Sequence, residues 1–115
     1  MEVEPKEAGI STSAPPANTT NMTLEKAIEL GEFEPSNLAR FPQWHTMSRH
    51  VQFEYIRKAL DNHNRQLVTQ WAEINNVLDF RTKPHLKKAL ENLEEQIRKL
   101  RQRKEELYLE YSAGS

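Results

Sequence analysis

The chain has no cysteine. That excludes a disulfide framework, a thiolate metal site and a thiol nucleophile. Glycine is scarce, with three residues, and four of the six prolines lie before residue 36. Few helix breakers therefore remain beyond about residue 45, which favours long uninterrupted helices there. No stretch approaches the ~18 consecutive apolar residues of a membrane span, so no membrane partner is expected. Met1 to Glu7 is acidic and lacks an apolar run, unlike a signal peptide. The expected compartment is the cytoplasm.

Apolar content is also low, at 37% of 115 residues. Globular domains usually hold about 45–50% on a scale that counts glycine. The core must be thin, and part of the chain should lie outside it. Residues 1–22 are rich in Pro, Ser, Thr, Ala and Glu. Such a segment buries too little surface to offset its ordering entropy and is read as a disordered tail.

What remains, residues 23–112, reads as one all-α domain. Thr23 is a good N-cap for a short helix over 24–30, closed by Gly31. Leu24, Ala27 and Ile28 share its apolar face. A further turn is expected over 35–41, with Pro35 at its first position and Pro42 ending it. Phe33, Leu38, Phe41 and Trp44 are the side chains expected to dock this region.

A long helix over about 46–79 follows. In a seven-residue repeat lettered a to g, Phe53, Leu60, Leu67 and Ile74 take a, and Ile56, His63, Gln70 and Val77 take d. Trp71 and Leu78 at e widen the stripe. Its weak point is Asp61-Asn62-His63-Asn64, four polar residues of modest helix propensity. A continuous helix is expected, with a break near Asn62 as the alternative. A second long helix, about 83–111, is capped by Thr82 with Pro84 in its first turn. Leu86, Leu90, Leu93, Ile97, Leu100, Lys104, Leu107 and Tyr111 recur at alternating spacings of four and three.

A short connection makes the two helices antiparallel neighbours. Pairing outward from it sets Leu90 near Ile74, Ile97 near Leu67, Tyr111 near Phe53, and Lys104 within reach of Asp61. The expected fold is therefore a long, coiled-coil-like antiparallel helical hairpin, with one or two short N-terminal helices. Its seam comprises Phe53, Ile56, Leu60, Leu67, Trp71, Ile74, Leu86, Leu90, Leu93, Ile97, Leu100, Lys104, Leu107 and Tyr111. A two-helix seam is marginal alone. Segment 24–44 folding over one end, or a homodimer forming a four-helix bundle, would remedy that.

Two groups are candidate binding surface. The first is Arg40, Trp44, His45, Arg49 and His50. A Ser–His–Glu hydrolase reading fails there, because Ser48 and His50 diverge on a helix and no oxyanion loop exists. The plainer reading packs Trp44 and Met47 on the hairpin and leaves His45, Arg49 and His50 in solvent. The second group is Arg98, Lys99, Arg101 and Arg103. Clustered cations are the footprint of nucleic-acid binding, but these are spread around the helix. Glu94–Arg98 and Glu95–Lys99 spacings suit ion pairs on a solvated helix exterior.

The four histidines never show the i, i+4 spacing of a two-ligand helical metal site. No metal, cofactor or enzymatic activity is expected. Charge is uneven: residues 1–39 carry seven acidic and two basic side chains, whereas 40–104 carry fourteen basic and seven acidic. An acidic leader shielding a basic body is one consequence. The expected function is a helical-hairpin protein–protein interaction module. The alternative is a small nucleic-acid- or ribosome-associated protein using the basic residues of 81–104.

Overall fold

A computed structural model describes residues 22–113. The expected tail over 1–22 lies outside the described residues except for Met22. Thr23 Oγ1 accepts the Lys26 N–H at 3.0 Å and starts helix α1, Leu24–Glu29. Gly31, at φ +93°, ends it. The Gly31 N–H bonds Ile28 O, and the Glu32 N–H bonds Ala27 O. These are the two bonds of a Schellman C-cap.

Helix α2, Pro35–Leu38, is a single turn, shorter than the expected 35–41. Phe41 precedes Pro42 and is held extended, at ψ 123°. Crowding by the proline ring keeps that residue out of helical geometry. A 3-10 turn over Pro42–Thr46 then buries Trp44. Helix α3 runs from Arg49 to Asn75 rather than from 46 to 79. Met47 is extended, and the Ser48 Oγ caps the helix by accepting the Val51 N–H. The helix is continuous through Asp61–Asn64.

At its far end, the Asn75–Asn76 pair ends α3 and Asp79 adopts a left-handed conformation, φ 61°. Aspartate tolerates that region better than most residues. Val77 and Leu78 are thus exposed in the connection, not on a helical seam. Thr82 does not cap α4. Its hydroxyl donates to Asp79 O within a 3-10 turn over Phe80–Thr82. Lys83 is extended and its carbonyl accepts from Leu86 and Lys87. Pro84 occupies the first position of α4, Pro84–Ala113.

Helices α3 and α4 pack as an antiparallel hairpin. Phe53 and Tyr111 meet with ring centroids 5.8 Å apart. Lys104 Nζ lies 3.9 Å from Asp61 Oδ1, as the pairing from the loop requires. The segment before α3 forms an arm laid over this hairpin. Leu24, Leu38, Ile56, Leu60 and Leu107 are the largest fully buried side chains, so the core sits where arm, α3 and α4 converge.

The polar run in α3 explains how the arm is seated. Asn62 Nδ2 donates to Ile28 O at 3.0 Å, and Gln66 Nε2 donates to Leu30 O at 3.0 Å. His63 Nδ1 lies 3.2 Å from Gly31 O. These carbonyls belong to the end of α1, where a helix lacks its own donors. Phe33 packs edge-on against the His63 ring. A Cβ on Gly31 would sit 3.1 Å from His63 Cα, so glycine serves both the left-handed turn and the close approach.

Candidate interaction surface

The arm covers one side of the hairpin. On α4 the arm's Glu34 meets Arg103, and the d-position leucines Leu93, Leu100 and Leu107 are 6%, 7% and 0% exposed. Of the neighbouring a positions, Leu90 and Tyr111 are buried, Ile97 is half-buried and Lys104 is exposed. On α3 the covered side holds Ile56 and Ala59, both fully buried. The opposite side, toward the e positions of both helices, is exposed at Arg57, Glu94, Arg101 and Tyr108. There Phe53, Arg57, Leu60, Lys104, Glu105 and Tyr108 line a shallow groove of about 330 Å³. Tyr108 is 55% exposed and packs edge-on against Phe53.

The expected seam residues divide accordingly. Ile56, Leu60, Leu67, Leu90, Leu93, Leu100, Leu107 and Tyr111 are buried. Phe53, Trp71, Ile74, Leu86 and Ile97 are half-buried. Lys104 lies at the open edge rather than inside the seam, with its side chain 54% exposed. Trp71 Nε1 donates to Glu94 Oε2 at 3.1 Å. That bond takes the carboxylate expected to face Arg98.

The first candidate group does not form one surface. Trp44 is core, and its carbonyl accepts from Gln52 Nε2. The His45 ring bonds the Ala39 carbonyl through Nε2 at 2.7 Å. Arg49 stacks 4.4 Å over the Tyr111 ring and donates to Glu110 O at 2.9 Å. It thereby satisfies a terminal carbonyl of α4 and complements the negative end of that helix. Arg40 and His50 remain exposed.

The second group is mostly paired. Arg98 bonds Glu95, and Lys99 lies 3.9 Å from the same carboxylate. The Arg98 guanidinium holds the Glu95 carboxyl below its ordinary value. Arg103 is a clamp on the arm. Its Nε and one terminal nitrogen contact the two Glu34 oxygens at 2.9 and 2.8 Å, and its other terminal nitrogen reaches Glu106. Bonding to Glu34 raises the Arg103 pKa further, against the opposing effect of burial. Arg101 is exposed and has no ion-pair partner among the described residues. Glu34 was not among the expected site residues. Its partner stands 69 positions away, beyond any local spacing rule.

Among the described residues, no group of three or more His, Asp or Glu side chains is placed to hold a metal ion. Nor is any described helix long and apolar enough to cross a membrane. Comparison with protein-family models, curated proteins and solved structures finds no match, so no role transfers from a relative.

Proposed function

We propose that this chain is a non-enzymatic interaction module, a helical hairpin that binds protein through its open face. One observation carries the reading. The arm supplies a third layer on one side of the hairpin, while the other side keeps a groove floored by Phe53 and Leu60 and walled by Tyr108. Helix-on-helix packing through such a stripe gives affinity, and charged flanks select the partner. The groove is shallow and lies between two helices, a poor enclosure for catalysis.

Tyr108→Arg tests the surface directly. It places a charge in the groove wall and touches no buried position. The variant should keep the circular dichroism of the parent and lose the proteins retained from native lysate. Retention of the same proteins by the variant would sink the reading. The nucleic-acid alternative draws on Arg101, Lys87 and Lys88, all exposed. It ranks second because Arg98, Lys99 and Arg103 already face carboxylates. Retention on RNA that falls steeply with salt would reverse that order.

A further inference from the structure

The open face has a charge pattern that selects its own partner. We propose that its occupant is a second copy of this chain, docked antiparallel, with α4 against α4 and α3 against α3 about a two-fold axis level with Ile97. This rests on the open face being a docking surface.

The Trp71–Glu94 and Lys104–Asp61 contacts set Val68 level with Ile97. At that level the face is apolar. Val68 is 42% exposed, while Trp71 and Ile97 are half-buried. From Gln66 to Ala72, α3 carries no charged residue. On either side of Ile97, the open flank of α4 changes sign. Nearest to it, Glu91 and Glu94 precede and Arg98, Arg101 and Lys104 follow, and farther out Lys87 and Glu105 reverse the signs.

A copy docked with its α4 parallel to α4 would set Glu94 against Glu94 and Arg101 against Arg101. A copy docked antiparallel about Ile97 sets Glu94 against Arg101 of the second copy and Glu91 against its Lys104. Two-fold symmetry repeats each pair. Arg101 is exposed without an ion pair among the described residues, and Glu94 uses one oxygen on Trp71. Both therefore keep bonding capacity for the second copy. Lys87 falls opposite the second copy's Tyr108, a cation facing an aromatic ring.

The size is also adequate. Two helices about 40 Å long, spaced about 9 Å apart, present roughly 800 Å² per copy, the usual share of a stable interface. Docking in this register lays the loop end of each hairpin on the Phe53–Tyr108 end of the other. Each half that lacks an arm thus gains a further layer.

Sedimentation equilibrium of the full chain, across a micromolar concentration range, reads the result. The parent should be a dimer. Arg101→Glu and Glu94→Arg should each raise the dissociation constant by about tenfold or more, and the doubly reversed chain should recover most of that loss. Circular dichroism of each variant guards against simple unfolding, and Arg101 is the cleaner site because it has no ion pair among the described residues. A monomeric parent overturns the proposal, as does a dimer indifferent to both reversals. A monomeric parent whose lysate partners still disappear with Tyr108→Arg would exclude the second copy while leaving the interaction reading intact.

Discussion

The hairpin's free end and its loop end carry the same repeat of apolar residues, yet they bury it differently. At the free end, Ile56 and Leu107 are fully inaccessible. Toward the loop, Leu90 and Leu93 are still buried, but Ile74 and Leu86 are only half-buried. The difference is the arm. A seam between two helices shields each side chain from one direction only, and Leu24, Leu38 and Trp44 close the second direction at the free end. A heptad pattern therefore specifies which helices pair. It does not by itself determine how much apolar surface they remove from water.

The largest test of this contrast removes one leucine from each half. Leu107→Ala leaves a cavity beneath the arm and should cost about 3–4 kcal/mol, whereas Leu86→Ala should cost about 1 kcal/mol. Urea unfolding of both variants measures the gap. Equal losses would mean that the arm adds no burial of consequence. Amide exchange should show the same asymmetry, with residues near the loop opening before those beneath the arm.

A smaller effect isolates the arm's clamp. Glu34 and Arg103 bond through two nitrogens and two oxygens, with side chains 34% and 32% exposed. Two-point geometry strengthens the pair, but solvent screening at that exposure limits it to a coupling of about 1 kcal/mol. The cycle of Glu34→Gln, Arg103→Met and the combined variant reports that coupling in urea. No coupling would leave packing alone to hold the arm.

The long elements were legible because their cause is local and periodic. Leu86 to Tyr111 announces its helix, and the short connection before it leaves one antiparallel pairing, realised at Phe53–Tyr111. Asn62, His63 and Gln66 were opaque for the opposite reason. Read locally, the run from Asp61 to Asn64 weakens a helix. In the fold, Asn62, His63 and Gln66 meet the carbonyls of a helix more than thirty positions earlier. Glu34 was missed for the same cause.

Helix ends were displaced where one side chain decides them. Ser48 outcompetes the expected start near 46, and the left-handed Asp79 ends what periodicity would have continued. Trp44 and Arg49 carried site-like chemistry in sequence, but the fold uses Trp44 in the core and Arg49 on the end of α4. The open face, by contrast, follows from the e positions only once the arm's side is known.

The smallest effect is a pH dependence confined to the free end. Tyr111 is buried beside Phe53. Burial pushes its phenol above the ordinary value, with the Arg49 cation pulling the other way and Glu110 adding to the rise. A phenol of pKa near 10 in the unfolded chain is thus a weaker acid in the folded one. The folded state holds the proton more tightly, so its contribution is complete below about pH 10 and is lost as pH rises through the higher folded value. Tyr111→Phe removes that linkage. Between pH 8 and 11, the parent should lose stability relative to Tyr111→Phe by under about 1 kcal/mol, with the divergence beginning near pH 10. Thermal melts of the two proteins measure the difference. Parallel curves would mean that the phenol is not desolvated at the free end, and that the arm, α3 and α4 close over Tyr111 less completely than over Leu107.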